Sequence, residues 1–258
     1  MDAAPSGESD RATDGRPLSS RSCVEDSEGH AMELTKAGHP STGVQSAEGE
    51  SLAEGNLAEV KKKARRQKAW IFFQDESGVS QRPSIRRTWA PRGETPVLIH
   101  AFNWKKMSLS AAIGYRWDGT RARLFFQTCP DSYNTERLIA FLEDLRREVR
   151  GRKVILVWDG LPAHKSNVMK EYLFEQRKWL TVEALPGYAP KLNPVENLWG
   201  NIKGQELANR CSEDLAEAAT AVHQGIGRVR ESGKLLFSFL QHAGLFFDRS
   251  VTILCEIQ

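Results

Sequence analysis

From Ala69 onward the chain alternates apolar runs of strand length with stretches of helical periodicity. Before that point neither pattern is sustained. The segment AWIFFQ is a short apolar and aromatic run suited to a buried strand, and it is expected to end at Asp75. Strand-like stretches follow around Thr95–Trp104, Met107–Trp117 and Arg121–Thr128. Between Asn134 and Arg150 the period changes: Leu138, Phe141, Leu142, Leu145 and Val149 recur at helical spacing with charges on the opposite side. KVILVW, Lys153–Trp158, is nearly continuous in β-branched and apolar residues, as expected of a central strand covered on both faces, and it ends at Asp159.

A helix is predicted from about Ser166 to Lys178, then a short strand LTVEAL and the loop PGYAPKL. Asn193 supplies an N-cap with Pro194 at the first helical position, opening a helix through Lys203 and beyond. Helical patterns return over Asp214–Arg230 and around Leu235–Phe247. The sum is an α/β fold: a mixed sheet built from a meander and a crossover helix, with helices packed on it.

Residues 1–58 form an acidic leader rich in Ser, Gly, Glu and Asp, and they are expected to be disordered because they cannot bury enough surface to offset their ordering entropy. One domain is expected over 59–258, with its core at about 69–207 and a helical C-terminal part at about 212–248. The charge is split accordingly. Up to Glu59 there are 4 Lys/Arg against 12 Asp/Glu, a net of −8, which leaves 32 against 21, or +11, for the remainder. A basic folded part attracts polyanions, although this alone is weak evidence for nucleic acid. The run Lys61–Lys68 reads as a solvated helix end or a DNA-phosphate contact.

Cys23, Cys129, Cys211 and Cys255 form no CxxC pair, so neither a disulfide framework nor a zinc site is suggested. The N-terminus lacks a signal-peptide pattern, and no apolar run approaches the roughly 20 residues that span a bilayer. The expectation is a cytoplasmic protein with no membrane partner.

Asp75 and Asp159 each follow a hydrophobic strand, at the position where open α/β sheets place their ligands. If the two strands are neighbours, the carboxylates converge and offer hard oxygen ligands suited to Mg²⁺ or Mn²⁺. Two such ions can assist both the attacking and the leaving oxygen of a phosphodiester exchange. Glu196 is the candidate third carboxylate. Each has a plainer reading: an aspartate after a strand is often a turn residue, and Glu196, three residues after Asn193, has capping-box spacing.

The wording around the three acids is specific. DESG at Asp75–Gly78, VWDGLPAHKS at Val157–Ser166 and LPGYAPKLNPVENLWGNIK at Leu185–Lys203, with WAPRGETPVL at Trp89–Leu98 between the first two, resembles bacterial insertion-sequence transposases of the mariner-like superfamily, within the DDE group. The resemblance runs from about Lys61 to about Leu207, and the 36 residues between Asp159 and Glu196 (196 − 159 − 1) agree with the long second spacing of this branch. It implies an RNase H-like fold, two Mg²⁺ or Mn²⁺ ions held by Asp75, Asp159 and Glu196, and cleavage and joining of DNA at transposon ends and target.

Many relatives carry Asn after the second Asp, where this chain has Gly160. His164 matches the family's His and reads either as a contact to the scissile phosphate or a metal-bound water, or as a helix-packing residue. Glu196, Trp199 and Lys203 share a helix face. Trp199 is read as packing on the sheet rather than stacking on a base, and Lys203 as a DNA-phosphate contact or a solvated lysine. Tyr188, Pro190 and Asn193 are expected to shape the loop that delivers Glu196. The segment with Arg82, Arg86, Arg87 and Arg92 either flanks the DNA path, with Arg87 as the candidate contact, or is an exposed hairpin.

Full-length relatives place helix-turn-helix modules before the catalytic domain, and no such pattern is visible here. The resemblance therefore implies a catalytic domain made as a separate reading frame, or a truncated element copy, with a homodimer or a separate helix-turn-helix partner frame as the candidate protein partners. The rival expectations are a catalytically idle remnant or DNA-binding regulator, and a general RNase H-like nuclease without strand joining.

Overall fold

The computed structural model describes residues 57–91, 97–99, 105–185 and 190–247. Five strands form one mixed sheet: β1 (Trp70–Ser80), β2 (Lys106–Arg116), β3 (Ala122–Cys129), β4 (Val154–Trp158) and β5 (Leu180–Ala184), in the order β3-β2-β1-β4-β5. β1, β2 and β3 pair antiparallel as a meander, while β1–β4 and β4–β5 are parallel. The parallel pairs require crossovers. These are α2 (Thr135–Val149) between β3 and β4, and α3 (Asn167–Gln176) between β4 and β5. The remaining helices are α1 (57–67), α4 (Pro194–Gln205), α5 (Leu215–Glu231) and α6 (Gly233–His242). This is the RNase H-like arrangement of a mixed sheet flanked by helices.

Strand alternation divides the apolar residues between two cores. From β1 and β4, Ile71, Phe73, Ile155 and Val157 face α1, α4, α5 and α6; Trp70, Phe72, Val154, Leu156 and Trp158 face α2 and Met169 of α3. Both faces being covered explains why KVILVW reads as an unbroken apolar run. The register of β1 on β2 is fixed at a close contact. Phe72 pairs with Gly114, and a Cβ at that glycine would stand 2.3 Å from the Phe72 ring.

Helix ends follow their capping chemistry. Asn134, Ser166, Asn193 and Asp214 each accept a backbone N–H at the start of α2, α3, α4 and α5. The predicted helix around Leu235–Phe247 is shorter at its far end: α6 stops at His242, and Gly244 at φ 70° supplies the left-handed turn that ends it. The strand expected to end at Asp75 continues to Ser80, because β2 offers an antiparallel partner along its whole length. Most of the stretch Thr95–Trp104 lies outside the described residues, and 97–99 belong to no strand. The leader 1–58 lies outside them up to residue 56, and 57–58 already belong to α1, where Leu57 packs on the core. No helix among the described residues is long and apolar enough to cross a membrane.

Candidate active site

Parallel register brings the two aspartates to one level. The last pair of β1 with β4 is Phe73↔Val157, so Asp75 and Asp159 each stand two residues beyond it. Neighbouring strands lie about 4.8 Å apart. Here β4 has ended while β1 runs on, which opens the sheet edge beside Asp75.

Glu196 arrives on α4. Asn193 caps that helix by accepting the Val195 N–H at 3.1 Å, and its own amide donates to the Gln74 carbonyl at 3.3 Å. This second bond ties the helix start to the residue just before Asp75. No bond from the Glu196 side chain closes a capping box onto Asn193 among the described residues, and Glu196 is exposed. The rest of its helix face also meets β1. The buried Trp199 packs on the sheet and donates its indole N–H to Asp75 Oδ2 at 3.0 Å, and Lys203 Nζ donates to Ser77 Oγ at 2.8 Å.

Asp75 is under electrostatic pressure. Burial raises its pKa first, the carboxylates of Glu196, Glu76 and Asp159 raise it further, and the Trp199 donor opposes them only in part, leaving it at about 7. Three like charges around a buried acid form a setting that a bound cation would relieve. Among the described residues, however, no three His, Cys, Asp or Glu side chains are gathered as a formed metal cluster.

Asp159 is held differently. Its Oδ1 accepts from the Leu161 N–H at 3.1 Å and lies 3.1 Å from His164 Nδ1, while its side chain stays 42% exposed. His164 is the opposite case, with a side chain 2% exposed. The imidazole lies flat on Trp158, centroids 4.0 Å apart and planes at 2°, and its Nε2 points to Glu76 Oε1 at 3.6 Å. Burial works against the imidazolium, but Glu76 and the Asp159 carbonyl and carboxylate outweigh it and hold the His164 pKa above its ordinary value.

A family described as DDE superfamily endonuclease matches residues 70–218. The chain belongs to this family. The matched span begins at the first residue of β1 and takes in every element that carries Asp75, Asp159 and Glu196. No curated protein matches the sequence of this DDE endonuclease.

Solved structures similar to it include a Mos1 transposase paired-end complex with the left transposon end, at 18% identity and TM-score 0.50 over 84% of this chain and 69% of that one. Another is the mariner Mos1 paired-end complex with Mg, at 17% identity and TM-score 0.54 over 84% and 66%. A pre-cleavage Mos1 transpososome is similar at 17% identity and TM-score 0.50 over 84% and 69%. The DDE endonuclease chain thus spans about two thirds of these transposase chains, and the likeness is one of fold.

Arg87 is exposed and lines a shallow groove with Gly200 and Gly204 of α4, along that helix from Glu196. Tyr188 and Arg92 lie outside the described residues. Sequence reasoning missed Glu76 and the Trp199–Asp75 bond. Glu76 was legible in one respect: with Gln74 it places polar side chains on the strand face that begins with Trp70 and Phe72.

Proposed function

We propose that this DDE endonuclease is the catalytic domain of a mariner-like transposase of the bacterial insertion-sequence branch, cutting DNA at transposon ends and joining the freed end to a target. The observation that carries the proposal is the level register of Asp75 and Asp159 at the end of β4, with Glu196 brought to Asp75 by an α4 anchored on the Gln74 carbonyl. The similar Mos1 structures, described with transposon ends and with Mg, support it. The domain is taken as 59–258 and acts in the cytoplasm on DNA.

The residues fit divalent cations. Their donors are carboxylate oxygens, and the raised Asp75 pKa marks a carboxyl that is buried first of all and also faces the like charges of Glu196, Glu76 and Asp159. Asp75, Asp159 and Glu196 would hold two Mg²⁺ or Mn²⁺ ions, whose chemistry is activation of the attacking oxygen and stabilisation of the leaving one. The chain's own contribution is orientation. Trp199 occupies Asp75 Oδ2, and Leu161 and His164 both engage Asp159 Oδ1, so the second oxygen of each aspartate has no donor among the described residues. Lys203, held on Ser77, and Arg87 supply positive charge along α4 for a DNA backbone.

The test is to incubate the purified chain, wild type beside Asp159→Asn, with labelled DNA carrying element ends and Mg²⁺, Mn²⁺ or EDTA. Metal-dependent cut and joined products that vanish in the variant are expected. Products indifferent to Asp159 would overturn the assignment. DNA binding without cutting under every metal would make the chain an idle remnant, and cutting of unrelated DNA without joining would make it a general nuclease.

A further inference from the structure

The basic helix α1 has no part in the site just described. From Leu57 to Lys68 there are 6 Lys/Arg against one Asp/Glu, a net of +5. Only Lys68 and Ala69 join α1 to β1, so the helix runs back against the strand, and its first residue, Leu57, lies at the end of the sheet where β4 stops. Two grooves flank it there. In the first, between α1 and the ends of β4 and β5, the apolar part is Val60, Val157, Leu185 and Leu192, and the basic side is Lys62, Lys63 and Arg66. In the second, Leu245 and the exposed Phe246 face Lys61, Lys62 and Arg65. Leu57 lines both grooves.

An apolar floor with a basic rim fits an acidic occupant that carries a small apolar part. Glu59 and Glu183 also line the first groove, but Glu183 is held by Lys63 at 2.7 Å. Lys62 and Arg66 are exposed and have no ion-pair partner among the described residues. A segment of the required chemistry is tethered at this place. Residues 1–56 carry 4 Lys/Arg against 11 Asp/Glu, a net of −7, and the chain enters α1 at Leu57, where the two grooves meet. Their last ten residues, AEGESLAEGN at Ala47–Asn56, set Glu48, Glu50 and Glu54 around the apolar pair Leu52–Ala53, and no Lys or Arg occurs between Lys36 and Lys61.

The lengths match as well. Gly55 and Asn56 are turn-forming residue types at which the segment can reverse onto the helix. An extended chain covers about 3.4 Å per residue and a helix about 1.5 Å. Glu54 then has about 10 Å of chain with which to reach Lys62, about 8 Å along α1, and Glu50 has about 24 Å with which to reach Arg66, about 14 Å along it. Each exposed ion pair is weak, but a short tether holds the segment at an effective concentration in the millimolar range.

We propose that the acidic segment Ala47–Asn56 docks along α1 and competes there with the phosphates of DNA, as a polyanion built into the chain. The position gives the competition its consequence: Val157 lies in the groove, and Asp159 stands only two residues beyond it. The competition rests on the reading of the chain as acting on DNA, whereas the docking does not.

Five forms of the full chain test it: wild type, E48Q/E50Q/E54Q, E25Q/D26N/E28Q, K62Q/R66Q, and the first and last of these variants combined. The backbone amide NMR signals of α1 report docking, and fluorescence anisotropy with a labelled random-sequence duplex reports DNA affinity, both over rising NaCl. E48Q/E50Q/E54Q is expected to shift the α1 signals at low salt, with the difference from wild type fading as salt screens the pairs. It should tighten DNA binding by roughly fivefold. E25Q/D26N/E28Q, which removes the same charge further from α1, should do much less, and in K62Q/R66Q the three Glu changes should have no further effect. Unchanged α1 signals in E48Q/E50Q/E54Q, with DNA binding weakened in K62Q/R66Q, would give α1 to DNA alone and overturn the proposal. Equal effects of the two acidic triplets would overturn it too, and so would docking that leaves DNA affinity unchanged. Shifts that grow with protein concentration would assign the groove to the leader of a second copy, again against it. Absence of DNA binding by every form would instead sink the reading of the chain as acting on DNA, while the α1 signals would still decide the docking.

Discussion

The two aspartates share a residue type and a level in adjacent parallel strands, and they live in different surroundings. Asp75 lies within a strand, between β2 on one side and the open edge beyond β4 on the other, under α4, with its pKa raised to about 7. Asp159 lies past the end of its strand, has a side chain 42% exposed, and takes its carboxylate donor, the Leu161 N–H, from the turn that follows, with His164 Nδ1 3.1 Å from the same oxygen. The difference teaches that the charge burden of the site is carried on one side. Asp75 is held by the core at a cost to the metal-free fold, whereas Asp159 is held by a local turn.

The largest expected effect tests what the pair has in common. Asp75→Asn and Asp159→Asn should each reduce metal-dependent cleavage to background in a gel assay. Either variant retaining wild-type cleavage would break the pairing. The next concerns the register that aims Asp75. Gly114→Ala would drive a methyl into the Phe72 ring and should destabilise by about 1–3 kcal/mol in urea unfolding. An unchanged midpoint would show that β1 shifts freely against β2.

The third prediction separates the two acids by pH. The folded Asp75 holds its proton up to about 7 against an ordinary value of 3.8, so the metal-free fold loses stability as pH rises through that window. The loss is on the order of a few kcal/mol at most. In EDTA, Asp75→Asn should flatten this slope and raise the melting midpoint at pH 8, by roughly 2–4 °C per kcal/mol for a domain of this size. Asp159→Asn, which removes only the smallest of the charges that raise Asp75, should change both far less. Identical melting profiles for the two variants would erase the contrast.

Much of this was legible in the sequence, and the residues show why. The apolar periods of β4 and α2, and the Asn193 cap of α4, are local signals, and they set those elements to within a residue or two of where they stand; Asn134, Ser166 and Asp214, read only as approximate helix starts, cap α2, α3 and α5 in the same way. The end of β1 was not local. After Phe73 the residues turn polar, which suggests a stop, but the strand persists because β2 continues to pair with it as far as Ser80↔Lys106. The site divides in the same way. Three acids with their neighbouring words can be read along the chain, whereas Trp199 on Asp75 and Glu76 on His164 depend on which strand face and which helix meet in space.

Smaller effects sharpen the comparison. Trp199→Phe removes the donor on Asp75 while keeping a ring in the core, and should cost about 1–2 kcal/mol with a drop in cleavage rate. An unchanged cleavage rate would show that this bond does not aim Asp75. Gly160→Asn, which gives this chain the residue common among its relatives, meets only the flexible end of Lys165, whose Nζ lies 3.0 Å from the added Cβ. Its stability should stay within about 0.5 kcal/mol of wild type.

The central claim is that Asp75 and Asp159, from two neighbouring strands, share a metal site that Glu196 completes. It is tested most directly by growing crystals with Mn²⁺ and locating the ion by anomalous diffraction. The account predicts a peak between the Asp75 and Asp159 carboxylates, with Glu196 turned toward it. A Mn²⁺ peak elsewhere on the chain, with those two carboxylates carrying none at saturating metal, would contradict it.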